Sequence, residues 1–251
     1  MKVKLTEQIL QISDTGVTSV NIIYEGKTKD VYALEDGNCM FVFKDDMTGE
    51  GGKFDPGANT VGLRLEGAGM ACLELSAYYF RILEEKGYPT HFISTFEKGS
   101  VEENRMKVKT ATVFGAGLEV ICRYKALGSF IRRYGDYISE GAPLDGVVEM
   151  TIKDDKRGDP LINEDSLLAL GILKLGEYSE LRTLMINICR VIKADLEAND
   201  LELCDIKLEF GRDKRAGGKI MLIDEISGGN MRVYRNGKAV TPLELAKIVL
   251  K

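Results

Sequence analysis

The 251-residue chain holds a single histidine, His91. That scarcity argues against a histidine-built zinc site and against a Ser-His-Asp triad. Cysteine is sparse as well: Cys39, Cys72, Cys122, Cys189 and Cys204 are odd in number and contain no CxxC spacing. Each has at least one apolar neighbour, which predicts reduced, mostly buried thiols and a cytoplasmic setting rather than a disulfide framework. Long apolar runs are missing. The richest stretch, Leu167 to Leu175, falls short of the ~18 consecutive apolar residues a membrane helix needs. The opening residues, Met1 to Glu7, lack an uninterrupted apolar segment and do not read as a secretory signal. There is no surplus of positive charge: 34 Lys+Arg stand against 39 Asp+Glu, a net charge of -5. General affinity for nucleic acid is therefore not expected.

What is present is the composition of an ordinary soluble domain, 44% hydrophobic and 29% charged. A chain this long buries roughly 70–75% of the surface its unfolded form exposes, so no disulfide or metal staple is required. The pattern along it predicts mixed strands and helices without βαβα alternation, an α+β fold. Strands are expected at Ser19 to Tyr24, Asp30 to Leu34 and Cys39 to Lys44, forming an antiparallel meander with a turn at Glu35 to Asn38. Seven glycines between Met47 and Gly69 predict a long loop. Ala71 to Lys86 reads as an amphipathic helix stopped by Gly87. Further strands are expected at Thr90 to Thr95, Met106 to Thr112 and Leu118 to Tyr124, and a hinge at Phe114 to Gly117 divides residues 1–115 from 116–251. In the second part a short helix at Ser129 to Tyr134 precedes a strand at Val147 to Lys153. A long helix at Glu177 to Asn199 follows, with Leu181, Leu184, Met185, Ile188, Val191, Ile192 and Leu196 on one stripe. Leu203 to Phe210 and Lys219 to Ile226 make a hairpin, and Thr241-Pro242-Leu243-Glu244 is a capping box opening a last helix.

Four segments could carry chemistry. In Asp205-Ile206-Lys207-Leu208-Glu209-Phe210 a period of two puts Asp205, Lys207 and Glu209 on one face. A solvated outer face is the plain alternative. The partner strand argues otherwise, because Met221-Leu222-Ile223 is apolar throughout and Asp224-Glu225 follow abruptly. Carboxylates on two neighbouring strands can hold Mg²⁺ between ATP phosphates, since Mg²⁺ takes hard oxygen ligands and few of them from protein. Glu209 and Asp224 can face the same side only if paired residue numbers in the hairpin sum to an odd value, such as 431 or 433, so the metal reading depends on that one register parity. Gly26-Lys27-Thr28-Lys29 sits where the first strand turns into the second. If it is extended, both lysines project together and could neutralise nucleotide phosphates; a lysine-rich hairpin tip is the alternative, and the spacing is not that of a Walker A loop. Arg123 closes a strand and Ser129 could cap the next helix, a place for an anion or a plain connection. Gly228-Gly229-Asn230-Met231-Arg232 could close an arginine over a phosphate or simply turn the chain. His91 reads as a core or surface histidine.

Taken in order, these segments resemble the SAICAR synthetase (phosphoribosylaminoimidazole-succinocarboxamide synthase) family. The resemblance is carried by Tyr24 to Tyr32, Phe43 to Thr48, Leu118 to Arg123, Gly128 to Gly135, Asp159 to Asp165, Asp205 to Gly211, and Asp224 to Ser227 with Arg232. It implies an antiparallel N-terminal lobe over an α+β lobe with ATP between them. The implied reaction condenses L-aspartate with the carboxylate of carboxyaminoimidazole ribotide, using ATP and Mg²⁺ and releasing ADP and phosphate. By matching position, Lys27 and Lys29 would contact ATP phosphates, with Glu209 beside the nucleotide, and Glu209 and Asp224 would hold Mg²⁺. Arg123, Ser129 and Arg232 would hold the ribotide phosphate. Asp205 and Lys207 would line the acceptor and aspartate region, with Asp46 at its edge and Asp205 the candidate base. The partners implied are small molecules, with neither nucleic acid nor membrane, in a monomer or a homodimer.

The chain departs from the family pattern at Gly228-Gly229, where Pro-Asp is common, and at Glu66 to Ala71, where an Asn-Asn pair is frequent. Phe54 to Leu65 is also longer than usual. The substrate side is thus where an alternative stands, a related ligase with a different amino acid or ribotide acceptor. A nucleotide-binding module without turnover has less need of paired metal carboxylates.

Overall fold

The computed structural model describes residues 21–58, 60–96 and 104–251. Its first lobe begins with β1 (Asn21–Glu25), β2 (Lys29–Ala33) and β3 (Cys39–Phe43), each antiparallel to the next. This is the expected meander; positions 19 and 20 of its first strand, like the opening residues, lie outside the described residues. Between β2 and β3 the Asn38 N–H donates to the Asp36 carboxylate at 3.0 Å, which closes the turn.

The glycine-rich stretch is not a loop. It forms a ribbon of β4 (Asp46–Glu50), β5 (Lys53–Phe54) and β6 (Val61–Arg64). A side chain on Gly62 would begin 2.3 Å from the Gly49 carbonyl carbon, so glycine here permits close strand contact rather than disorder. Helix α1 (Ala68–Glu85) follows and buries Leu73, Ala77, Phe80 and Leu83. Gly87, at φ 83°, ends it as expected. Strands β7 (Phe92–Thr95) and β8 (Arg105–Val108) complete a five-stranded sheet in the order β1-β2-β3-β8-β7.

The single strand expected over Met106 to Thr112 is two strands in two sheets. After β8 the chain leaves the first sheet, and β9 (Ala111–Val113) joins the second. That sheet continues with β10 (Leu118–Lys125), β11 (Pro143–Ile152), β12 (Glu202–Asp213), β13 (Ile220–Ile223), β14 (Met231–Arg235) and β15 (Lys238–Ala239). Strand β12 is its spine, pairing with β10, β14, β13 and β9 along its length. The helices are α2 (Ser129–Tyr134), α3 (Glu164–Ala169), α4 (Glu177–Glu197) and α5 (Pro242–Val249). The predicted stripe of α4 packs on β10 and β12, with Leu181, Met185, Ile188, Ile192 and Leu196 buried and Leu184 and Val191 partly so. The capping box of α5 forms as read: Glu244 N–H donates to Thr241 Oγ1, and Thr241 N–H donates to the Glu244 carboxylate at 2.9 Å.

The two lobes share backbone and core. Thr90, just before β7, bridges Leu222 of β13 in parallel, and β9 reaches the second sheet before the boundary expected at residues 115 and 116. One hydrophobic cluster runs from Phe41 and Phe80 through Leu208 and Phe210. All five cysteines are free and buried. Among the described residues no helix is long and apolar enough to cross a membrane.

Candidate active site

Directly paired residues of antiparallel strands share a face. In the second sheet Glu119, Ile121 and Arg123 of β10 stand opposite Glu209, Lys207 and Asp205 of β12. Thr151 and Glu149 of β11 flank Glu119 and Ile121, and Arg232 of β14 flanks Asp205. One face is thereby a checkerboard of charge, while Val120, Cys122, Ile206, Leu208 and Phe210 point the other way into the core. The predicted alternation of β12 is correct, and the face it produces is shielded in part, with Asp205 buried and Lys207 and Glu209 partly so.

The charges on that face are paired across strands. Lys207 Nζ donates to Glu119 Oε1 at 2.7 Å, and the Thr151 hydroxyl donates to Glu119 Oε2 at 2.8 Å. Arg123, only 2% exposed, donates from Nε to Glu149 (2.7 Å), from Nη2 to Ser129 Oγ (2.8 Å) and from Nη1 to Asp205 (3.4 Å). Arg232 Nη1 holds both Asp205 oxygens, at 3.0 and 2.8 Å, and its Nη2 donates to Asp55 beyond β5 at 2.5 Å. The Arg232 guanidinium lies in a slot between two glycines: side chains on Gly57 or Gly128 would begin 2.6 or 2.7 Å from Nη2. Burial pushes the Asp205 carboxyl above its ordinary range, and the two arginines only partly offset this. Burial would also raise Asp55, but the Gly57 N–H and Arg232 hold it below the usual carboxylate range.

Arg123 joins Ser129 and Asp205, and Arg232 reaches the same Asp205, so the three residues expected at the ribotide phosphate lie around Asp205, which was expected with Lys207 in the acceptor region. Ser129, however, is not the cap of α2. Gly128, which has no side chain to cap with, occupies that position at φ 56°, and the Ser129 hydroxyl accepts from Arg123.

The second cluster lies at the end of the hairpin. Paired numbers in β12 and β13 sum to 432, since Glu209 faces Ile223. The sum is even, so the parity condition fails and pleating alone would put Glu209 and Asp224 on opposite sides. They converge nonetheless, because Asp224 lies past the end of β13 in a left-handed conformation, φ 70°. Lys153, just after β11, donates to Glu209 at 2.6 Å and feels Asp224 as well; burial would lower its pKa, and the two carboxylates raise it instead. Burial, with Asp224 adding to it, pushes the Glu209 carboxyl up. Burial would raise Asp224 too, yet Lys29 and Lys153 hold it below its usual value.

Lys29 contacts Asp224 at 3.0 Å and Glu225 at 2.6 Å. Glu225 also accepts from the Ser227 hydroxyl. Gly26 is required at this turn, where a side chain would begin 2.5 Å from the Lys29 carbonyl oxygen. The segment bends at Lys27 and Thr28 instead of staying extended, so the two lysines reach different carboxylates. Lys27 donates to Asp155 at 2.7 Å and is partly exposed, whereas Lys29 is buried. Both cross from the first lobe to the second. Asp46 opens β4 opposite Arg64 and makes no side-chain hydrogen bond or ion pair among the described residues.

Glu209 and Asp224 offer hard oxygen donors next to Lys29 and Lys153. No three metal-binding side chains cluster among the described residues. That donor set suits a Mg²⁺ that draws its remaining ligands from phosphates and water, not an all-protein cage. Of the two readings open for His91, core or surface, the structure gives core, with Nε2 donating to the Asp224 carbonyl at 3.1 Å; burial lowers its pKa to about 3. Glu119, Glu149, Lys153, Glu225 and Asp55 were given no role from sequence. The alternation of β10 signals Glu119 beside Arg123, whereas nothing local marks Lys153 or Asp55. A cavity of about 560 Å³ between α4 and the strand ends at Tyr124 and Leu203 contains none of these charged residues.

A family model described as SAICAR synthetase matches residues 22–247. The chain is 55% identical to the phosphoribosylaminoimidazole-succinocarboxamide synthase of Clostridium tetani, over 92% of this chain and all of that one. It is similar to a solved SAICAR synthetase in complex with ADP, with TM-score 0.75 and 31% identity, covering 88% of this chain and 87% of the other. The SAICAR-synthase of Saccharomyces cerevisiae complexed with SAICAR shares the fold at TM-score 0.71 and 17% identity, covering 94% and 82%.

Proposed function

The chain belongs to the SAICAR synthetase family, and from that premise we propose which of its residues perform the family's reaction. The enzyme is an ATP-dependent ligase of purine biosynthesis that joins L-aspartate to the carboxylate of carboxyaminoimidazole ribotide, giving SAICAR, ADP and phosphate. A carboxylate and an amine do not condense at neutral pH until a carboxylate oxygen becomes a leaving group. Phosphoryl transfer from ATP makes it one, and the protein's task is to offset charge and hold the reactants in place.

Lys27 and Lys29 hold the nucleotide phosphates, with Glu209 close by and Lys153 as a third cation. Glu209 and Asp224 hold Mg²⁺, which when bound offsets negative charge on the phosphoryl group. Arg123, Ser129 and Arg232 hold the ribotide phosphate; the glycine slot around Arg232 and the bond from Arg123 to Ser129 support this. Asp205 and Lys207 line the acceptor and aspartate region with Asp46 at its edge, and Asp205 also aims the two arginines. The observation that carries the reading is the convergence of Glu209 and Asp224, with Lys153 paired to the first and Lys29 to the second.

Two lobes divided near residue 115, a cytoplasmic setting and a monomer or homodimer without nucleic acid or membrane complete the proposal. Five free buried thiols suit a reducing compartment. The test is a coupled ADP-release assay with carboxyaminoimidazole ribotide and a panel of amino acids, in which ADP should require L-aspartate. A second reading is favoured by Gly228-Gly229. The carboxylate the family commonly carries would fall at Gly229, where a side chain would begin 3.1 Å from Ser227 Oγ and 3.3 Å from Glu225 Oε2. ADP release only with another amine or acceptor would establish that second reading.

A further inference from the structure

The Asp224 carboxylate reaches the cleft against the parity of its own hairpin, so something other than the pleat must aim it. The backbone around it identifies the agent. His91 N–H donates to the Leu222 carbonyl at 3.0 Å, and Leu222 N–H donates to the Pro89 carbonyl at 2.9 Å, which lays residues 89–91 alongside β13. The His91 ring then reaches one step further, with Nε2 3.1 Å from the Asp224 carbonyl oxygen. A carbonyl only accepts, so Nε2 carries the proton. One residue thus grips the end of β13 at two alternate carbonyls.

The ring is fixed. It is 2% exposed and lies edge-on to Phe41 at 5.4 Å and to Phe80 at 5.2 Å. Aspartate enters the left-handed region more readily than most residues, and the contacts around Asp224 are what hold it there. We propose that His91 is a positioning residue for Asp224: its Nε2–H holds the left-handed Asp224 backbone and so turns the carboxylate toward Lys29 and Glu209. This rests on the reading of Glu209 and Asp224 as the Mg²⁺ ligands. A histidine that only filled space would be replaceable by any ring of similar size.

The experiment titrates Mn²⁺ into the enzyme with saturating ADP, following the Mn²⁺ paramagnetic resonance signal, beside metal-free ADP binding and thermal melts. His91→Phe keeps a ring and loses the N–H. It should bind ADP without metal as the parent does and bind Mn²⁺ at least about tenfold more weakly, within the 10–100-fold range typical of losing an outer partner of a metal ligand. His91→Gln, whose Nε2 reaches the same carbonyl, should restore most of that affinity. Asp224→Asn is the control and should weaken Mn²⁺ more. If Asp224→Asn weakens Mn²⁺ and His91→Phe does not, the positioning role is overturned and the metal reading stands. Unchanged Mn²⁺ affinity in Asp224→Asn removes the metal reading and this proposal with it. Should His91→Phe not fold, His91→Gln against the shorter His91→Asn decides: weaker Mn²⁺ in the asparagine variant supports the role, and equal affinity overturns it.

Discussion

Strand β12 has two faces of opposite physics. Ile206, Leu208 and Phe210 are each at most 1% exposed beneath α4, while Asp205, Lys207 and Glu209 alternate with them on the cleft side. Burying each apolar side chain stabilises the fold by roughly 1.5–3 kcal/mol. Across the sheet burial does the reverse, because charges leave water and pairing offsets the cost only in part. The raised carboxyls of Asp205 and Glu209 record that residual cost. One face holds the strand in place; the other uses that rigidity to keep charges where they would not gather unaided.

The sharpest way to break this comparison uses neighbours on opposite faces. Phe210→Ala should lower the unfolding free energy by about 3–5 kcal/mol in urea titration, with kcat little changed well below the shifted midpoint. A comparable loss of turnover in the folded variant would mean the faces are not separable. Glu209→Gln should do the opposite. Turnover should fall about 10²–10³-fold, equivalent to about 2.7–4 kcal/mol, while the thermal midpoint stays at or above the parent's because a costly buried charge is gone.

Arg232→Lys tests the cleft face at lower amplitude. A single ammonium cannot hold Asp205 and a phosphate in the geometry of the guanidinium fork. KM for the ribotide should rise about tenfold, ~1.4 kcal/mol, with KM for ATP nearly unchanged. The smallest effect belongs to a charge pair on the packing side. Glu177, at the start of α4, accepts from Arg212 Nε at 2.9 Å and Nη2 at 2.5 Å, and the Arg212 guanidinium lies 4.3 Å from the Phe114 ring centre. Burial would raise the Glu177 carboxyl, yet Arg212 and the Lys174 N–H hold it below its ordinary 4.5. A depressed folded-state pKa gives stability that is present above 4.5 and lost as pH falls through the lower folded value. Glu177→Gln should therefore cost under about 1 kcal/mol at neutral pH, and the difference from the parent should shrink in melts as the pH is taken below 4.5. Turnover should not respond.

What sequence conveyed follows the range of the forces involved. The stripe of α4, the α5 capping box and the alternation of β12 are local periodicities, and each is present. Composition misled over residues 47–69, where glycines that signal a loop instead allow β4 and β6 to touch. Lys109 and Thr110 carry no turn residue, so nothing announced that the chain changes sheets there. The convergence of Glu209 and Asp224 was anticipated for an inadequate reason. Strand parity cannot express a single left-handed residue, and Asp224 follows β13 without a glycine to advertise the turn. The partners of Lys27, Lys29 and Lys153 come from distant segments, so only tertiary structure assigns them.

Strands β9 and β13 also bear on how the protein assembles. Cut between residues 115 and 116, the leading fragment would keep β9 but not the β12 edge it completes, and the trailing fragment would expose β13 where residues 89–91 belong. Each piece would present unsatisfied backbone groups matched to the other. Co-expressed halves should therefore reassemble and regain turnover, whereas either half alone should aggregate.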